Sequence, residues 1–250
     1  MLGVKLQTQY HFIYGELGRK PLKYTRLIGL IRFWLKIIES DETKFIKCTY
    51  NMMLNDIERQ PQQKNWAKSI KSLLENVGLN YAWTYQQVGD KKLFLNLFKT
   101  RTNDQFIQNW NSQLDNSSRA KTYCLLAKFS FKPYLDIINV KKFRFELTRL
   151  RVSSHRLAVE TGRWHKPQPI PQNERKCIVC NTLEDEFHFV IECPLYKTAR
   201  SKYIKPYFWK RSNVPKFVEL LNNENKNIIR NLSMYIFESQ KIRTELLYSD

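Results

Sequence analysis

Apolar positions along this chain recur three and four residues apart far more persistently than they alternate, a pattern that predicts helices. Pro21 suits the first turn of a helix in which Leu27, Ile31, Trp34, Leu35 and Ile38 repeat at helical spacing. Ser40 and Asp41 offer caps for a second helix burying Phe45, Cys48, Met52 and Ile57. Trp66, Ile70, Leu73, Leu74 and Val77 mark a third, with Gly78 placed as its C-terminal stop. Asp90 can cap a longer helix carrying Leu93, Phe94, Leu97 and Phe98 and continuing through Phe106, Ile107, Trp110 and Leu114. Asn116, Ser117 and Ser118 punctuate it. All of these stripes are expected to pack as core.

A further helix is predicted from Lys141 to about His155. At 100° per residue, Lys141, Arg144, Thr148, Arg151 and His155 fall within about 80° of one another, beside a face of Phe143, Leu147 and Leu150. A helix lying on a phosphate backbone needs such a basic stripe, and an ordinary solvated helix also shows one. Pro167, Pro169 and Pro171 exclude a helix and favour an extended, stiff connector. Val214-Pro215 opens a helix with Phe217, Val218 and Leu221, and a last helix carries Ile228, Leu232, Tyr235 and Ile236. The expected architecture is mainly α. An irregular basic helical bundle over 1–166 precedes a small zinc module over 167–200 and two C-terminal helices within 201–250.

Charge sharpens this picture. The 250 residues carry 42 Lys plus Arg against 23 Asp plus Glu, a formal charge of +19, so the chain is suited to an anionic partner. Seven glycines are about half the usual share, and no G-x-G-x-x-G or G-K-[ST] occurs, which argues against dinucleotide folds and P-loop enzymes. Hydrophobic content of 42% excludes a disordered basic tail. Met1 to Gly18 mixes polar and apolar residues unlike a signal peptide, and the apolar run Leu27 to Ile38 is broken by Arg32 and Lys36, so no membrane contact is expected. Five cysteines without a secretory signal point to a reducing nuclear or cytoplasmic setting, with thiol or metal chemistry favoured over disulfides.

One cluster is specific: Cys177, Cys180, His188 and Cys193, spaced C-x2-C-x7-H-x4-C. Zinc takes four such ligands in a tetrahedron, and two thiolates two residues apart can bind it from a single tight turn. Asn181 tolerates the left-handed backbone that such turns often need, and no glycine follows Gly162. A redox dithiol and a chance grouping of buried thiols are the competing readings. His155 and His165 are less suited than His188, and Cys48 and Cys124 are assigned to packing faces. Four acids, Glu184, Asp185, Glu186 and Glu192, lie between the outer cysteines with no Lys or Arg, so the loop itself is a poor phosphate clamp. Its flanks are basic: Arg163, Lys166, Arg175 and Lys176 before it, Lys197, Arg200, Lys202 and Lys205 after it. With Lys141, Arg144 and Arg151 these flanks supply the candidate nucleic-acid contacts. Trp164, Tyr203, Tyr207 and Trp209 are available to stack on bases or to pack between modules.

Several segments resemble the region downstream of the polymerase in animal non-LTR (LINE-type) retrotransposon proteins. They are Gly15-Glu-Leu-Gly-Arg-Lys-Pro-Leu22, Phe106-Ile-Gln-Asn-Trp-Asn111, Phe143-Arg-Phe-Glu-Leu-Thr-Arg-Leu-Arg151 and Glu160-Thr-Gly-Arg163. The last leads into Cys177-x2-Cys180, Glu184-Asp-Glu-Phe-His-Phe189 and Cys193-Pro194. The resemblance covers most of the chain and is strongest from Lys141 to Tyr196. It implies that Cys177, Cys180, His188 and Cys193 hold zinc and that the module helps to hold template RNA or target DNA. The loop of seven is longer than that of a retroviral zinc knuckle and lacks its glycine, so retroviral base pockets do not carry over. Neither a Tyr-x-Asp-Asp nor a Pro-Asp…(Asp/Glu)-x-Lys pattern is found. The expectation is a nucleic-acid-binding C-terminal part of a reverse transcriptase, partnered in cis or in trans by the polymerase core and without polymerase activity of its own. The rival expectation is a zinc-stapled helical scaffold that grips another protein, and a weaker third is a nuclease without a visible motif.

Overall fold

The computed structural model describes residues 2–60, 62 and 64–248. Its elements are helices, and among the described residues the only β pairing is two isolated bridges, Leu17 with Phe131 and Lys176 with Leu183. The chain forms two compact units, Lys20–Ser112 on its own and Met1–Arg19 together with Gln113–Asp250. The units divide the chain elsewhere than at the proline segment, because residues 167–250 belong to the same unit as 113–166.

In the Lys20–Ser112 unit the helices Leu22–Ile38, Phe45–Arg59, Trp66–Asn76 and Asn80–Tyr85 enclose Ile31, Trp34, Leu35, Tyr50, Ile70 and Leu74, with Phe94 and Phe98 from the Lys91–Asp115 helix. Gly78 does stop its helix at φ 68°, and the Asp90 carboxylate caps by accepting from Leu93 N. The Phe45–Arg59 helix departs from expectation. Asp41 folds onto Thr43 instead of capping it, and Phe45, Cys48 and Met52 are exposed. The buried face carries Lys47 and Tyr50, because Tyr50 accepts from Trp34 Nε1 at 2.9 Å and donates to Gln86 at 2.8 Å. Leu93 and Leu97 are likewise exposed while Phe94 and Phe98 are buried. Phe33, Ile37, Phe45, Ile46, Met53 and Trp66 line an open apolar groove of about 410 Å³.

The other unit is built on the Lys226–Tyr248 helix, which packs against Lys141–Arg151, Lys197–Tyr203, Val214–Leu221 and Tyr134–Ile137. Leu147, Leu150, Ile229, Leu232, Tyr235 and Ile236 are buried along these contacts. Asn213 caps the Val214–Leu221 helix by accepting from Lys216 N. Cys124, assigned to packing, is exposed, since the Lys121–Leu126 helix buries Tyr123 and Leu126. The Lys141–Arg151 helix ends short of His155, with Ser153 at φ 50°. Its Arg151 is 1% exposed and grips Glu16 of the Tyr10–Leu17 helix through bonds of 2.8 and 3.1 Å. The same guanidinium donates to Leu221 O at 2.7 Å, so one side chain joins three helices.

The proline segment is a hooked loop, not a stiff connector. Ile170 N donates to Gly162 O at 2.8 Å, and Arg175 fastens the hook by donating to Ile170 O and Val159 O. A Cβ on Gly162 would lie 2.8 Å from Arg175 Cγ, so the close approach requires glycine there.

Candidate metal centre

Cys177 and Cys180 sit in a tight hairpin. Cys177 N donates to Thr182 O at 2.7 Å, Asn181 N to Cys177 O at 2.9 Å, and Glu184 N to Arg175 O at 2.9 Å. Asn181 closes the turn at φ 54°, the left-handed conformation its position called for. Asn181→Gly should therefore leave stability within a few tenths of a kcal/mol, whereas Asn181→Val should cost about 1–2 kcal/mol in urea denaturation of the metal-loaded protein.

His188 and Cys193 come from the next turn of chain. The Asp185 carboxylate accepts from His188 N at 2.8 Å, and His188–Glu192 then forms a π-helical turn closed by Cys193 N donating to His188 O at 2.8 Å. Widening the turn by one residue brings positions five apart onto one side, which the x4 spacing between His188 and Cys193 requires. Burial pushes Asp185 above the usual carboxylate range, against the lowering effect of the bond from His188 N.

The four ligand atoms lie within 4.8 Å of one another. Cys193 Sγ is 3.9 Å from Cys177 Sγ and 3.7 Å from Cys180 Sγ, and all three thiols are free. A tetrahedral ion with metal–sulfur bonds of about 2.3 Å sets its sulfurs about 3.8 Å apart. Nδ1 of His188 faces Thr182 Oγ1 at 3.4 Å and the Glu192 carboxylate at 3.6 Å, while Nε2 is buried without a hydrogen-bond partner. An ion at the common centre would satisfy that orphaned nitrogen, with Nδ1 steadied from behind. Burial pushes the Cys193 thiol up to about 12 and raises that of Cys180, so a cation is what would make them thiolates. The residues fit, and the group can hold one metal ion.

Surrounding side chains hold the ligands in place. In an α-helix Val190 O would accept from residue 194, which is Pro194 and has no N–H. Arg200 fills the gap, donating to Val190 O at 2.9 Å and Cys193 O at 2.8 Å. Tyr235 donates to Phe189 O at 2.8 Å.

Two of the four loop acids, Glu184 and Glu186, turn inward, which sequence reasoning missed. Glu184 accepts from Nε and Nη2 of Arg243, each at 2.7 Å, and from Ala158 N. Glu186 accepts from His155 Nε2 at 2.8 Å and Thr122 Oγ1 at 2.9 Å. Burial works to raise the Glu186 carboxyl, but His155 and these bonds outweigh it and hold it below its ordinary value. His155 is thus a loop fastener and no ligand. The signal was present only as an odd excess of acids beside a basic chain.

The candidate nucleic-acid contacts divide by residue type. Arg144 donates to Ile138 O at 3.0 Å, Arg163 to Ser118 O at 2.8 Å beside Glu160, and Arg151, Arg175 and Arg200 are buried on the partners named above. The basic stripe of the Lys141–Arg151 helix faces inward beyond Lys141, which corrects its assignment to phosphates. A guanidinium satisfies several carbonyls from one plane, and an ammonium stays hydrated. Lys141, Lys166, Lys176, Lys197 and Lys202 are accordingly exposed, Lys202 standing 3.4 Å from Glu238. Trp164 and Tyr207 are exposed, whereas Tyr203 and Trp209 are half-buried on Glu238 and Ile204 O.

Among the described residues no other group of three or more His, Cys, Asp or Glu side chains converges on a common point, and no helix is long and apolar enough to cross a membrane. No family model, curated protein or solved structure matches the chain.

Proposed function

We propose that the chain is a zinc-stapled nucleic-acid-binding segment that serves as the C-terminal part of a LINE-type reverse transcriptase. It holds template RNA or target DNA for a polymerase core joined to it or supplied in trans. Three thiolates and an imidazole favour zinc over harder cations, and four protein ligands leave no position for a reactive water. The ion supplies a fixed crosslink, and the work on nucleic acid falls to the side chains around it. Reduced thiols suit an intracellular, nuclear or cytoplasmic setting.

One observation carries the reading. Of the acids that partly offset the cations, Glu16, Glu160, Glu184 and Glu186 are buried against Arg151, Arg119, Arg243 and His155. The excess of +19 is therefore presented to solvent largely by lysines, which meet phosphates as point charges with modest sequence preference.

The zinc-loaded protein should bind single-stranded RNA and duplex DNA with affinity that falls steeply between two salt concentrations. Lys141→Gln and Lys197→Gln should each reduce the log–log salt slope by about one if the lysine meets a phosphate. Indifference to both nucleic acids at low salt would refute the proposal. The scaffold reading is favoured by the apolar groove of the Lys20–Ser112 unit, a surface that a partner protein could cover. Under it, reversing the exposed lysine charges leaves nucleic-acid retention unchanged.

A further inference from the structure

We propose that the hollow beside the Glu16–Arg151 pair is a binding pocket for a phosphate monoester. It lies between residues 126–134 and 221–224 and has a volume of about 220 Å³. Drug-sized ligands occupy about 300–1,000 Å³, so this pocket is suited to a phosphate and part of the group that bears it.

The lining is rich in donors and in positive charge. Lys132 is 7% exposed, and its ammonium, with three N–H bonds, donates to Lys128 O at 2.9 Å. Arg151 forms the floor. Its guanidinium is committed to Glu16, Leu221 O and Asn222, so it contributes charge and no free donor. Lys128 stands exposed among the lining residues. Both asparagines have their carbonyl ends engaged elsewhere: Asn222 Oδ1 accepts from Arg151 at 3.3 Å and Asn223 Oδ1 from Asn225 N at 2.9 Å. Their amide NH2 ends, with the Ser130 hydroxyl, are what they leave for a ligand. Phe131, 44% exposed, adds an aromatic face for a sugar or ring attached to the phosphate.

Charge balance points the same way. Lys132 and Arg151 stand near one buried carboxylate, Glu16, both of whose oxygens Arg151 has taken, and Lys128 adds a third positive charge near Lys132. Burial holds the Lys132 amine below its ordinary range, Glu16 raises it, and Arg151 and Lys128 lower it further. A phosphate would relieve that crowding and accept from Lys132. Glu224 is the one acid in the lining and is exposed. It should oppose the anion, which gives the proposal a test of sign.

The inference stands apart from the nucleic-acid reading, because inorganic phosphate alone can probe it. The full zinc-loaded chain would be titrated with inorganic phosphate, followed by phosphorus NMR, and with two single-stranded oligonucleotides that differ only in a 5′-phosphate or 5′-hydroxyl. Phosphate should bind, Lys132→Met should weaken it at least tenfold, and Glu224→Gln should tighten it several-fold. The Glu224 variant is at the surface and keeps the test valid if the Lys132 variant folds poorly. Preference for the phosphorylated oligonucleotide identifies a strand end as the source, and phosphate binding without that preference identifies free phosphate. Either supports the pocket. No binding to the wild-type chain, or binding that the Glu224 variant fails to tighten, overturns it.

Discussion

Cys193→Ser is expected to reduce the metal content from about one ion per chain to none and to lower the melting temperature of the metal-bearing unit by about 10–20 °C. Cys193 is the vertex of both short sulfur–sulfur separations, 3.9 and 3.7 Å, and a serine hydroxyl is a poor replacement for a thiolate. Structural zinc is commonly worth about 10 kcal/mol or more to a small module without other support. Here Arg200, Arg243 and His155 also hold the loop, so the expected loss is smaller, about 5 kcal/mol, at about 2–4 °C per kcal/mol for a unit of this size. Metal analysis and calorimetry on the same preparation test it, and a chelator should reproduce the effect in the wild-type protein. The Lys20–Ser112 unit has its own core around Trp34 and Leu74, so its transition should persist. A melting profile indifferent to chelation would show that side-chain packing alone orders the loop.

Glu16→Gln should destabilise the same unit by about 3–5 kcal/mol, because it leaves Arg151 charged and uncompensated at 1% exposure. The double variant Glu16→Leu, Arg151→Met should recover much of that loss, since it removes the buried charge together with its partner. A double-mutant cycle in urea measures both. The same variants separate structure from binding. Arg151 lies under Tyr134, with its guanidinium 5.1 Å from the ring centre, and on Glu16, so its loss should leave the salt slope of nucleic-acid binding unchanged. A slope that drops in the Arg151→Met variant at unaltered stability would return that side chain to the phosphate-facing set.

The metal cluster was legible because its signal is local: ligand types, their spacing and the asparagine that closes the turn are all contained in one short run. Helix existence was legible for the same reason, as in Val214–Leu221 and the long C-terminal helix around Leu232 and Tyr235. Helix orientation was not. Phe45 and Met52 form one apolar stripe of their helix and Tyr50, Met53 and Ile57 another, and the choice was made by Trp34 and Gln86 on other segments. Arg151 was misread because its partner is 135 residues away, beyond any periodicity argument. The partners of the loop acids were hidden for the same reason, with Arg243 lying 59 residues from Glu184.

Among the candidate contacts the cations fall into two sets. Arginines such as Arg151, Arg175 and Arg200 act as interior fasteners, and lysines such as Lys141, Lys166 and Lys197 form the outer coat. Acylation of lysine amines, or codon drift from lysine to glutamine, can therefore retune the electrostatic coat step by step while the fold underneath is left intact. A single change from arginine to lysine inside has no such latitude, because an ammonium cannot replace the planar fork that spans two carbonyls.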